Sequence, residues 1–149
     1  METSSASPRQ VFGLLETTVI VIVIGITALF AIPRVEARTE APVVRKALQY
    51  AEWIAAHQTT RMRKGEGYSE HLAAFHDAQG ALRPVPEEFT LTELKADGRR
   101  YWELVLPRRE HSSSFGAYTI VFDSQGLNTY ISTVPRALLP ERYLHPAEL

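Results

Sequence analysis

Hydrophobic residues follow three successive patterns along this chain, and each predicts a different kind of element. From Phe12 to Ile32, "FGLLETTVIVIVIGITALFAI", apolar residues are nearly continuous and Glu16 is the only charge. A helix of that length spans about 32 Å, close to the roughly 30 Å hydrocarbon core of a bilayer, so the run fits one transmembrane helix. The pattern then becomes amphipathic. Val44, Ala47, Leu48, Ala51, Ile54 and Ala55 recur at helical spacing, while Arg45, Gln49 and Glu52 fall on another face. Arg61, Arg63 and Lys64 collect where a helix C-terminus favours positive charge, and Gly65 and Gly67 supply a stop. The spacing predicts a helix from about Phe12 to about Lys64, on the order of 80 Å long if continuous. Pro33 and Pro42 lie inside it, each expected to bend it or interrupt its hydrogen bonding.

The third pattern begins after residue 65. "SEHLAAFHDAQ" (69–79) predicts a short helix, and the prolines of 83–88 predict a loop. "YWELVLP" (101–107), "AYTIVFD" (117–123) and "LNTYIST" (127–133) are rich in aromatic and β-branched residues and predict strands. "FTLT" at Phe89 is a fourth candidate, and "DSQG" predicts a hairpin turn with Gly126 at positive φ. The tail "PRALLPERYLHPAEL" is expected to run irregularly over the surface. A small antiparallel sheet has one apolar face to cover, and the amphipathic part of the long helix is the available lid. The fold class is therefore α+β, a long N-terminal helix, transmembrane in its first half and amphipathic in its second, packed on a small antiparallel sheet. The expected segments are a leader or tail at 1–11, an apolar helix at 12–33, its amphipathic continuation at 34–64 and a sheet domain at 65–149.

Composition narrows the chemistry. Cysteine is absent, which excludes disulfides and thiolate metal sites, and a net charge of -1 gives no global field to attract nucleic acid or anionic lipid. His71 and His76 are five apart, off the spacing of a helical zinc pair, so no metal site or cofactor is expected. "EHSSS" (110–114) carries nucleophile and base types without a nucleophile elbow around them. "GEGY" (65–68) follows a helix, where a phosphate-binding loop precedes one, so no enzyme is expected. Arg99, Arg100, Arg108 and Arg109 bracket one predicted strand; they read as solvated strand ends, with a DNA-contacting patch as the sharper alternative. Tyr50 and Trp53 read as helix-to-sheet contacts.

Glu16 raises the sharpest question, because a carboxylate in an apolar span is costly and calls for a partner. Phe12, Glu16 four residues on, Gly25 in mid-run and Pro33 at the end together resemble the N-terminal segment of the type IV pilin and type II secretion pseudopilin superfamily. The resemblance implies a pilin-like fold and a structural, filament-forming role, with Phe12, Glu16, Gly25 and Pro33 in assembly. It implies other pilin-like subunits, a prepilin peptidase, an assembly platform protein and an ATPase as partners, besides the lipid bilayer. It also implies cleavage and methylation at Phe12, and Glu16 paired with the terminal amine of a neighbouring subunit, where an ammonium compensates the carboxylate. Localisation follows as a single pass in the inner, cytoplasmic membrane with the C-terminal domain outside, then a filament or pseudopilus.

Several residues depart from that pattern. Val11 stands where the family's peptidase requires glycine before Phe12, and Gly13 lies one residue beyond it. The leader has one basic residue, Arg9, whereas Arg34, Arg38, Arg45 and Lys46 follow the span, a count that by the positive-inside rule favours the opposite orientation. Other readings use the same segment. "VEA" before Arg38 resembles the cleavage site of a secretory signal, and a plain single-pass anchor for a sheet domain that binds DNA or protein explains the span but not the place of Glu16. Gly25 serves equally to permit close helix packing, and Pro33 to mark the membrane boundary.

Overall fold

The computed structural model of the chain describes residues 13–76, 80–109 and 115–144, without the side chains of residues 14, 15 and 30–34. The leader at 1–11, Phe12 and "EHSSS" lie outside the described residues. The chain divides into two units, Met1–Val35 and Glu36–Leu149. One α-helix, α1 (Leu14–Arg63), is assigned without interruption, and four strands follow: β1 (Glu93–Asp97), β2 (Tyr101–Pro107), β3 (Thr119–Asp123) and β4 (Gly126–Leu127). The architecture is α+β, its sheet an antiparallel meander in the order β1-β2-β3-β4.

Neither proline ends α1. Pro42 is exposed, two residues before Val44, the first of a helix face that buries Val44, Ala47, Leu48, Ala51 and Ile54 completely. A proline forfeits one hydrogen bond of the ladder, and that much tertiary burial outweighs the loss. The stop at Gly65 is a Schellman motif: the Glu66 N–H donates to the Arg61 carbonyl at 3.0 Å and the Gly65 N–H to the Met62 carbonyl at 3.0 Å. Gly65 has φ +80°, which a side chain would strain. Gly67 has φ +77°, and a Cβ there would stand 3.1 Å from the Gly98 carbonyl oxygen, the acceptor of the Tyr68 N–H.

Within the second unit the buried face of α1 and the inward face of the sheet form one hydrophobic core. The alternation of β2 sends Trp102, Leu104 and Leu106 inward, and that of β3 sends Ile120 and Phe122. Tyr50, Phe75, Phe89, Tyr118, Val134 and Leu138 also belong to it. Gln58, fully buried, replaces a piece of sheet: its side-chain amide donates to the Ser69 carbonyl at 2.7 Å and accepts from the Ser69 N–H at 2.9 Å. Both halves of the amide are satisfied, which removes the cost of its burial.

Several expectations from the sequence need correction. The fourth strand is not "FTLT" but "ELKAD", which lacks any β-branched or aromatic residue. It lies at the sheet edge, where charges are tolerated, while Leu94 and Ala96 pack against the core. Phe89 makes only an isolated bridge to Arg108, although Thr90 and Thr92 still donate to carbonyls of β2. Of "LNTYIST" only Leu127 is strand, because the Asn128 side chain accepts the Tyr130 and Ile131 N–H groups and turns the chain out. Ser132 and Thr133 then return to the β3 edge, where their hydroxyls accept the Val121 and Thr119 N–H groups at 2.9 Å each. In "SEHLAAFHDAQ" the helix shrinks to a 3-10 turn at Leu72–Ala74, with 77–79 outside the described residues. The tail is not confined to the surface, since Leu138 is buried and Leu139 and Tyr143 pack on the core. The "DSQG" turn forms as expected, with Asp123 paired to Gly126 and Gly126 at φ +110°.

Candidate functional site

The first unit contains the residues that the sequence singled out for assembly. Gly13 caps α1: its carbonyl accepts the Glu16 N–H at 3.0 Å, and its own N–H donates to Glu16 Oε2 at 3.0 Å. This is the returning half of a capping box, with a glutamate at the third helical position reaching back to the cap. The carboxylate also sits where the helix dipole favours negative charge. Glu16 therefore has a partner within its own chain, which the sequence reading had sought in a second subunit. The spacing Gly13–Glu16, a glutamate three residues after the cap, carries that signal in the sequence.

Beyond Glu16 the helix exposes apolar side chains on every side. Val19 to Ile24, Ile26 and Leu29 are all between 48% and 73% exposed. Thr27 conceals its hydroxyl by donating to the Val23 carbonyl at 2.7 Å. A Cβ added at Gly25 would meet nothing within 4 Å. A helix apolar around its whole circumference is stable only where something other than water covers it, either lipid or other helices. Among the described residues no helix is long and apolar enough to cross a membrane.

The proposed arginine patch is not one surface. Arg99 and Arg100 precede β2 and Arg108 and Arg109 follow it, so the pairs are separated by a strand of roughly 20 Å. Arg99 donates to the Gly65 carbonyl at 2.8 Å and so ties the β1–β2 turn to the end of α1. Arg100 is exposed, and Arg109 is exposed with Nε donating to Thr90 Oγ1 at 3.3 Å. Arg108 is buried, a correction to its reading as a solvated strand end or a DNA contact. It continues the inward alternation of Trp102, Leu104 and Leu106, which is why it faces the core.

There Arg108 meets a second buried charge. Glu40 lies on the face of α1 that buries Val44 and Ala47, and its Oε1 accepts Arg108 Nε at 2.7 Å and the Tyr118 hydroxyl at 2.5 Å. Arg108 Nη1 donates to the Glu88 carbonyl at 2.8 Å, and the guanidinium stands 5.6 Å from the centre of the Phe89 ring. Burial works against the charge of Arg108, but the bond to Glu40 prevails and its pKa is raised. Burial, then the bond to Glu40, raises that of Tyr118. This junction joins α1, β2 and the start of β3, and its atoms are consumed in holding them together. Tyr50 and Trp53, expected to contact the sheet, differ: Tyr50 enters the core, while Trp53 packs on His57 and Phe75.

Among the described residues no group of three or more side chains could hold a metal ion, and nothing points to an enzyme. Comparison with protein families, with curated proteins and with solved structures finds no match to this chain.

Proposed function

We propose that the chain is a pilin-like structural subunit of a type IV pilus, a type II secretion pseudopilus or a related filament. In this reading residues 12–32 hold it in the inner membrane, with the sheet domain outside the cytoplasm, until assembly machinery draws it into the filament. The observation that carries the proposal is the apolar helix from Val19 to Leu29, exposed around its whole circumference, whereas the second part of the same helix buries its apolar face in a core. Neighbouring apolar helices can replace lipid around such a segment at little net cost, which makes transfer from bilayer to filament feasible. Glu16 then acts in two settings: it caps its own helix through Gly13 before assembly and is offered to a neighbour's terminal amine during assembly.

The test is Glu16→Ala. It is expected to leave the protein in the membrane fraction and to reduce its recovery in sheared filaments. Normal recovery would count against the assembly role.

A second reading is favoured by the Gly13–Glu16 bond itself, which satisfies the carboxylate without any partner. On that reading the apolar helix is a plain anchor and the sheet domain a binding module for protein or DNA. N-terminal sequencing with intact mass separates the two, since a methylated start at Phe12 supports the filament and an uncut chain supports the anchor.

A further inference from the structure

Tyr50 is only 2% exposed, yet its hydroxyl forms no hydrogen bond among the described residues. Buried hydroxyls nearly always have a partner, because one left without bears its full desolvation cost. Tyr118 and Tyr143, by contrast, donate to Glu40 and Glu52. Tyr50 lines a cleft, open to solvent, between α1 and the segment 82–88. The cleft has a part of about 230 Å³ and a part of about 470 Å³, which meet at Tyr50, Arg83, Pro84 and Val85.

The smaller part continues over Trp53, Leu72 and Leu82 and carries no charge besides Arg83. The larger part continues over Lys46, Glu87 and Glu88, where Lys46 lies 3.5 Å from Glu88 and Glu87 is exposed. Arg83, where the two parts join, is exposed and forms no hydrogen bond or ion pair among the described residues. Burial raises the pKa of Tyr50 and the charge of Arg83 works against that rise, which places guanidinium and hydroxyl within electrostatic reach of each other.

A phenolic O–H and a guanidinium therefore converge beside an apolar hollow with no acceptor between them. An anion satisfies both. A carboxylate has two oxygens for the two donors and one charge for the one cation, whereas a phosphate dianion would leave a charge uncompensated. Glu87 repels a second negative group in the larger part. The Tyr50 and Trp53 rings, 6.0 Å apart between centres, offer an aromatic wall to a flat apolar body. The smaller part lies below the roughly 300–1,000 Å³ of sites for drug-sized ligands, so that body is small. We propose that the cleft binds a small aromatic monocarboxylate, its ring against Trp53 and Leu82 and its carboxylate between the Tyr50 hydroxyl and Arg83.

The experiment titrates phenylacetate into the full-length protein in detergent and follows the indole N–H resonance of Trp53. Trp102, 1% exposed in the core, is the internal reference. A saturable shift of Trp53 alone, complete by about 20 mM, is expected for a ligand of so few atoms. Phenylacetamide, the same shape without the charge, is expected to bind at least about tenfold more weakly, the loss of a charge-assisted hydrogen bond. Arg83→Gln is expected to weaken phenylacetate by about the same factor, and Tyr50→Phe, which keeps the buried ring, by at least about fivefold. No shift at Trp53, equal binding of the amide, or full affinity in either variant overturns the proposal. Tighter binding of phenyl phosphate than of phenylacetate overturns it as well. The two ligand comparisons use the wild type and decide the matter even if a variant fails to fold.

Discussion

Two stretches of the same helix treat hydrophobic residues in opposite ways. From Val19 to Leu29 the apolar side chains point outward all round, whereas from Val44 to Ile54 they occupy one face and are fully buried. The sequence difference is small: isoleucine, valine and leucine occur in both. What differs is the spacing of polar residues, which in the second stretch leaves one face for solvent and so assigns the other to the sheet. An element's partner is thus written in its polar positions. The second stretch has found its partner within the chain, and the first requires lipid or other helices.

The largest expected effect that sharpens this comparison lies at the buried junction. Arg108→Met leaves Glu40 charged and buried, and such a loss typically costs about 3–5 kcal/mol. Tryptophan fluorescence during denaturant unfolding is the readout, because Trp53 and Trp102 both belong to the second unit. Adding Glu40→Met to Arg108→Met is expected to restore much of the stability, since two apolar groups need no pairing. A single mutant as stable as wild type would break the junction's assigned role.

Next comes the same deletion made in both stretches. Leu48→Ala empties core volume and is expected to cost about 2–5 kcal/mol of unfolding free energy. Ile22→Ala removes an exposed side chain and is expected to change the same transition by less than about 0.5 kcal/mol. Equal losses would contradict the contrast between the two stretches. Under the proposed function, a charge in the first stretch, Val23→Lys, is expected to cost about 3 kcal/mol of membrane insertion. Its effect should appear in fractionation and leave the fluorescence transition where it was.

A smaller effect follows from pH. The Tyr143 hydroxyl donates to Glu52, and burial followed by that bond pushes its pKa from the ordinary 10.0 up to about 12. Tyr118 is raised in the same direction by burial and Glu40. A raised folded-state pKa contributes stability that is complete below pH 10 and disappears as pH climbs through the folded value. Unfolding midpoints should therefore hold from neutral pH to about pH 10 and fall above it. Tyr143→Phe should remove part of that fall.

Much of this fold was legible because its periods are clean. β2 occupies the residues read from "YWELVLP", and five of the positions that the helical spacing of α1 assigned inward, Val44, Ala47, Leu48, Ala51 and Ile54, are fully buried, with Ala55 half-buried beside them. Two other elements were hidden by physics that a local reading omits. "ELKAD" forms a strand because β2 offers it an edge, and "LNTYIST" fails to because Asn128 offers its backbone a competing acceptor. The Glu40–Arg108 pair was legible in principle. Residue 108 keeps the parity of 102, 104 and 106, and residue 40 lies one turn before Val44, so both charges are on inward faces. Arginine types alone suggested a surface; their register places one of them in the core.

Contact between apolar helices of neighbouring subunits is the claim on which the functional account stands. It is tested most directly by placing a photo-crosslinking amino acid at Ile24, which is 62% exposed, and irradiating cells that assemble the filament. The account predicts adducts between this chain and other pilin-like subunits, recovered in the sheared filament fraction and diminished by Glu16→Ala. Irradiation that yields lipid adducts alone, with the protein confined to the membrane, would contradict it and leave the apolar helix as an anchor.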